Sequence, residues 1–261
     1  MTDPLPPICI LAGGLGRRLG ETVREIPKPL LEVAGEPFLV HQLRLLAVHG
    51  AREAVVCVGY LGDQIVQQIG PQRFGIRIAY SHDGPRPLGT LGAIRAAVPL
   101  LGPRFLVLYG DTYLRIDYAA VTAAWMLSGL PAMMTVLLND GRWDVSNVLF
   151  DSRRVIAYDK HTPTPDMRWI DYGLGGLSTA TLGLVGEDVG DLAELYRLLA
   201  ARGVLFGFEA RNRFYEIGTP QSLRETGEFL ASRGEPVADP RAAGYSPGRP
   251  RCCVDCRSGA R

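Results

Sequence analysis

Residues 11–19 read Leu-Ala-Gly-Gly-Leu-Gly-Arg-Arg-Leu, and residues 27–30 read Pro-Lys-Pro-Leu. A strand-like apolar run over residues 8–11 empties into Gly13, Gly14 and Gly16, followed by Arg17 and Arg18. Glycines let the backbone bend tightly and present bare amide donors, and two fixed positive charges stand beside them. That combination suits the phosphates of a nucleoside triphosphate. A Walker-type loop is excluded, because it needs Lys-Ser or Lys-Thr where this chain has Arg17 and Arg18. A dinucleotide fingerprint is weakened but stays open. Its G-x-G-x-x-G spacing is broken by Leu19 before Gly20, and Glu32 lies at the ribose-binding spacing. A purely steric strand-to-helix turn also stays open on these residues alone.

Further segments follow in order: Leu88-Gly89-Thr90-Leu91-Gly92-Ala93-Ile94, Gly110-Asp111, Asp159-Lys160 and Glu216-Ile217-Gly218-Thr219-Pro220. Asp111 comes just after an apolar run, and the carboxyl end of a parallel strand is where sites of open α/β sheets gather. Lys28 lies between Pro27 and Pro29, which confine it to an extended backbone. Taken together, the glycine loop, P-K-P-L and the later segments resemble the sugar-phosphate nucleotidyltransferases over about residues 7–230. These enzymes join a nucleoside triphosphate to a sugar 1-phosphate and release pyrophosphate.

The resemblance implies a role for each matching residue. Leu11, Ala12, Gly13, Gly14, Gly16, Arg17, Gly89 and Thr90 would bind the nucleotide, with Gly89 beneath the base. Arg18 would grip the leaving pyrophosphate and Lys28 would face the reacting α-phosphate. Asp111 and Glu216 would hold Mg²⁺, and Lys160 the sugar phosphate. Asp171 and Gly173, in a glycine-centred segment over residues 171–176, would contact the sugar. The implied catalytic residues are Arg18, Lys28 and Asp111. Glu216 departs from the aspartate that relatives carry before x-G-T-P. Its longer arm shifts the ion or interposes water. Tyr60 and His82 are candidates for the rim, whereas His41 and His49 belong to a helix and read as structural or exposed.

Within the family the G-G-L-G-x-R-L form and the L-G-T-x-G-A-I run look most like the heptose 1-phosphate and mannose 1-phosphate guanylyltransferases, so GTP is the favoured donor. Transfer from dTTP, UTP or CTP to a hexose, N-acetylhexosamine, choline or cyclitol phosphate stays open. So does a non-catalytic sensor of sugar nucleotides on the same fold.

The elements that must position these residues alternate between β-branched runs and helical patterns, the rhythm of a parallel sheet with crossover helices. Strands are expected over residues 8–11, 54–58, 76–81, 105–109, 132–138 and 205–209, and helices over 37–49, 89–101, 118–128, 188–201 and 220–232. Thr219-Pro220 is the start signal of the last helix. Short strands at 147–150 and 155–159, then a loop at 161–166, read as an antiparallel insertion. The expected fold is a Rossmann-like three-layer α/β sandwich, with a mostly parallel mixed sheet and that small antiparallel insertion on the substrate side.

The chain has 261 residues, 47% of them apolar, which suffices for a sizeable core. One nucleotidyltransferase domain over residues 1–234 is expected, followed by a flexible tail over 235–261 rich in Pro, Gly and Arg. With 28 Lys and Arg against 27 Asp and Glu, no broad field invites nucleic acid or an anionic membrane. No apolar run is long enough to cross a bilayer. A cytoplasmic protein is expected, with a nucleoside triphosphate and a sugar 1-phosphate as partners and homo-oligomerisation left open. Cys9 and Cys57 fall in apolar runs where a thiol packs as a small hydrophobe. Cys252, Cys253 and Cys256 lack the second ligand pair that a zinc site needs.

Overall fold

The computed structural model describes residues 4–14, 16, 19 and 25–232. Arg17, Arg18 and residues 235–261 lie outside that set. The first half of the chain forms β1 (Ile8–Leu11), β2 (Glu32–Val33), β3 (Glu36–Pro37), α1 (Phe38–Val48), β4 (Glu53–Val58), α2 (Gly62–Ile69), β5 (Gln72–Arg73), β6 (Ile76–His82) and α3 (Gly89–Ala97). Next come β7 (Arg104–Tyr109), β8 (Thr112–Tyr113), α4 (Tyr118–Ser128), β9 (Ala132–Leu138), β10 (Val148–Phe150), β11 (Val155–Tyr158) and β12 (Trp169–Ser178). The chain closes with α5 (Leu192–Ala201), β13 (Leu205–Ala210), β14 (Tyr215–Glu216) and α6 (Pro220–Ser232).

One mixed sheet carries the molecule. Strands β6, β4, β1 and β7 run parallel, and β12 joins β7 antiparallel. β9 lies antiparallel to β12, and β13 parallel to β9. The alternation within each central strand makes the layers. Ile8, Ile10, Val56, Val58, Leu106 and Leu108 point to the face covered by α1, α2 and α4. Cys9, Val55, Cys57, Phe105 and Val107 point to the face covered by α3 and α5. A period of two thus buries both faces of the same strands, which forces helices onto both sides. Cys9 and Cys57 are buried thiols with their sulfurs 3.5 Å apart. The hairpin β10–β11 extends the sheet beside the start of β12, as the antiparallel insertion. Among the described residues no helix is long and apolar enough to cross a membrane.

Several expected elements change. The segment 89–101 is a helix only to Ala97, after which Pro99 falls in a 3-10 turn over Val98–Leu100. The helix expected from 188 starts at Leu192, capped by Asp191, whose carboxylate accepts from the Ala193 amide at 3.0 Å. α2 is an addition, with Ile65 and Ile69 one turn apart on its buried face. The largest revision concerns residues 171–176, which are the middle of the ten-residue strand β12, absent from the expected strands. A bulge between Asp171 and Gly175 breaks its register with β9, and Gly173 takes φ +106° there.

Arg95, on α3, fastens the segment before α5. Its guanidinium donates to the carbonyls of Leu182, Val185, Gly186, Glu187 and Val189 at 2.9–3.2 Å. Arg95→Met leaves these five acceptors to water and is expected to cost about 2 kcal/mol. A thermal melt checks it, with a loss of about 4–8 °C expected.

Candidate active site

Two clefts open at the carboxyl ends of the central strands and share Tyr109 and Asp111. The first, of about 410 Å³, is lined by Leu11, Ala12, Gly13, Gly14 and Gly16, and also by Lys28, Gly89, Thr90 and Asp111. The second, of about 640 Å³, holds Asp111, Glu216, Lys160, Asp171 and Gly173. The residues read from the sequence therefore sort into two adjoining spaces, apart from Arg17 and Arg18, which lie outside the described residues.

The glycines of the first cleft have different reasons. A Cβ on Gly13 would stand 3.2 Å from the Gly59 amide nitrogen, and one on Gly110 would stand 2.9 Å from the Leu11 carbonyl oxygen. These two let the ends of β1, β4 and β7 close on one another. Gly16 takes φ +58°. Beyond its chain neighbours, no atom of the described residues lies within 4 Å of the missing Cβ of Gly14, so there the absent side chain leaves room in the cleft itself. Gly89 lines the cleft, but its constraint is internal: φ is +74° and a Cβ would meet the Gly190 carbonyl oxygen at 2.5 Å. Thr90 is likewise engaged within the protein. Its hydroxyl donates to Asp191 at 3.2 Å and accepts from the Leu192 amide at 2.8 Å.

Lys28 is not extended as expected but opens a 3-10 turn over Lys28–Leu30, closed by the Leu30 and Leu31 amides donating to the Pro27 and Lys28 carbonyls, while Pro27 keeps the extended backbone at φ −64° and ψ 139°. Its side chain is only 10% exposed, and Nζ donates to Asp111 Oδ2 at 2.5 Å. Asp111 also accepts from the Thr112 hydroxyl at 3.1 Å. The loop that carries Asp111 is held from below by Gln42 of α1. This buried amide donates to the carbonyls of Tyr109 and Thr112, both at 2.8 Å. The two-stranded pair β8–β14 sets Glu216 beside Thr112, and the Ile217 amide donates to the Asp111 carbonyl at 3.1 Å. Glu216 Oε2 accepts from the Gly218 amide at 2.5 Å. α6 begins where expected, with Thr219 Oγ1 accepting from the Ser222 amide at 3.1 Å.

In the second cleft, loss of hydration pushes the Asp171 carboxyl above the usual carboxylate range, against the pull of Lys160 and of the Gly173 amide at 2.9 Å. Asp159, before Lys160, spends its carboxylate on its own turn. It accepts from the amides of His161 and Thr162 at 2.8 and 2.9 Å, which hold it below its ordinary value. Gly175 and Gly176 have no role at a ligand, because Tyr196 and Trp125 fill the space above them.

Sequence reasoning missed Gln42, and it missed Asp83, which lines the first cleft and accepts from the Leu88 amide at 3.4 Å. Burial raises the Asp83 carboxyl. Its place directly after β6 was the available signal. His41 is structural, its ring 2.7 Å from the Val33 carbonyl oxygen. Tyr60 is half exposed, and neither it nor His82 lines a cleft in the way the glycine loop does.

Residues 8–162 match the MobA-like NTP transferase domain. An N-acetylmuramate alpha-1-phosphate uridylyltransferase of Neisseria meningitidis serogroup B is 39% identical over 227 residues, which cover 83% of this chain and 94% of that protein. Mannose-1-phosphate guanyltransferase beta-B of Xenopus laevis is 27% identical over 82% of this chain, and the match spans only 61% of that longer protein. Among solved structures, HddC from Yersinia pseudotuberculosis complexed with GMP-PN superposes with a TM-score of 0.69 at 25% identity. That superposition covers 87% of this chain and 100% of HddC.

Proposed function

From the premise that this chain belongs to the MobA-like NTP transferase family, we propose that it joins a nucleoside monophosphate to a sugar 1-phosphate. One observation carries the reading: the two clefts meet at Asp111, and Lys28 reaches the same carboxylate. The nucleotide takes the first cleft and the sugar phosphate the second. UTP is the first donor to test, supported by the relative that is 39% identical over 94% of its own length. GTP is the second reading, supported by HddC with GMP-PN and by the glycine-loop form. Residues 1–234 form the catalytic body, with 235–261 outside it.

In the reaction an oxygen of the sugar phosphate attacks the α-phosphorus. The bond to the bridging oxygen breaks, and pyrophosphate leaves with the electron pair. Two polyanions must come together, so charge placement dominates the barrier. Lys28 supplies positive charge at the α-phosphate, and Lys160 holds the attacking phosphate. Arg18 belongs at the leaving group.

The donor set fits a hard divalent cation. Asp111 and Glu216 line the same cleft, with Glu216 paired to Thr112 across β8–β14, and no group of three or more His, Cys, Asp or Glu suited to a metal forms among the described residues. Mg²⁺ typically takes one or two carboxylates, with waters and phosphate oxygens completing its shell. We assign it to these two residues. When bound it neutralises charge on the phosphates.

The test is pyrophosphate release with UTP, GTP, CTP and dTTP against a panel of sugar 1-phosphates, with the product identified by mass. No product with any pair rejects the reading and leaves the sensor alternative. Lys28→Met is expected to lower turnover about 10²-fold. Its effect should fall on kcat, read in the same assay under saturating substrates.

A further inference from the structure

The second cleft has a wall that the transfer chemistry does not use. Between β9 and β10 the chain makes a loop, residues 139–147, that is tightly braced. Asn139 is fully buried, and its carboxamide donates to the Asp144 carbonyl and the Ser146 hydroxyl and accepts from the Trp143 amide at 2.9 Å. Asp140 is bound by Arg168 through both Nε and Nη2, at 3.1 and 2.8 Å. Asp140 and Gly141 are consecutive left-handed residues, at φ +44° and +75°, and the tight turn they make leads directly into Arg142 and Trp143. Both side chains line the second cleft and not the first.

A rigid loop that presents a large indole, 43% exposed, inside a cleft gains nothing from it in core packing. One face of Trp143 is taken by Arg213, whose guanidinium carbon lies 4.4 Å from the ring centroid. Arg213 also lies over Tyr215 at 5.0 Å and is paired with Glu225. The result is a fixed polar and aromatic surface of the kind that receives a sugar ring.

The lining of this cleft carries five carboxylates and three cations, and most of these groups already have partners. Arg213 has Glu225, and Lys160 faces Asp171. Asp144 spends Oδ1 on the Val145 amide at 2.7 Å, Asp111 accepts from Lys28, and Glu216 accepts from the Gly218 amide. Among the described residues Arg142 has no carboxylate partner.

We propose that the Arg142–Trp143 loop selects the acceptor, and that Arg142 receives a carboxylate carried by the sugar on a substituent away from its phosphate. The proposal rests on the transferase reading above and adds the acceptor's class, an acidic sugar 1-phosphate. A planar guanidinium binds a carboxylate by two parallel hydrogen bonds, so a neutral acceptor forfeits them.

Two acceptors that differ only in a lactyl ether test this, N-acetylmuramate α-1-phosphate and N-acetylglucosamine α-1-phosphate. The wild type is expected to prefer the acid at least tenfold in kcat/KM, and Arg142→Met to remove most of that preference by raising the KM of the acid. Trp143→Ala is expected to raise the KM of both acceptors about tenfold, while the KM of the triphosphate stays as it was. An equal loss on both acceptors in Arg142→Met would assign the guanidinium to the phosphate and overturn the proposal. A wild type that prefers the neutral acceptor, or does not discriminate, also overturns it while leaving the transferase reading intact. Absence of transfer to every sugar phosphate tried rejects both.

Discussion

Asp111→Asn is expected to lower turnover about 10³-fold and to leave the fold intact. The asparagine oxygen still accepts from Lys28 Nζ, and the backbone contacts of this position, Ile217 amide to Asp111 carbonyl and the Gln42 bridge across the loop, do not involve the carboxylate. What is lost is negative charge at a position that both clefts share. Pyrophosphate release measures the first effect and a thermal melt the second. Turnover within threefold of the wild type would remove Asp111 from the chemistry. An unfolded variant would mean that the 2.5 Å ion pair, and not the reaction, is what the carboxylate serves.

Gly175→Ala is expected to be the most damaging single methyl in the sheet. Its Cβ would stand 1.9 Å from the Tyr196 hydroxyl oxygen, at the centre of β12. The ring has nowhere to go, because Tyr196 is only 2% exposed and lies edge-on to Tyr158 at 6.1 Å. Overpacking of this kind costs about 3 kcal/mol, and a thermal melt should record a fall of about 6–12 °C. The double variant with Tyr196→Phe removes the clashing oxygen and should recover part of the loss. An unchanged melting temperature in the single variant would mean that the sheet shifts more easily than its packing implies.

The same strand marks the limit of what could be read from the residues alone. The central strands were legible because their two faces are both apolar and their lengths short, α1 and α4 because their apolar residues keep helical spacing, and α6 because Thr219-Pro220 marks its start. β12 was not legible. Gly173, Gly175 and Gly176 read as a glycine-centred segment against a sugar, yet the last two are there because Tyr196 and a Trp125 ring atom, 2.8 Å from a Cβ on Gly176, occupy the space. Such crowding comes from residues 21 and 51 positions away and leaves no trace in local pattern. The first cleft was legible for the opposite reason, since its glycines and Asp111 sit at strand ends, where topology gathers sites. Gln42 could not have been found. One buried amide in an amphipathic helix looks like any other polar position until the carbonyls it bridges are known. Arg142 and Trp143 were also invisible, because a turn after β9 gives no hint of which cleft it borders.

The pairing of Lys28 with Asp111 has a bearing on traffic through the cell. At rest the ammonium and the carboxylate cancel, so this part of the mouth offers stray anions such as orthophosphate and free nucleoside monophosphates little to hold. On the proposed reading, a cation that took the carboxylate would leave the Lys28 ammonium facing phosphate. The junction would then draw phosphate only once that cation is in place.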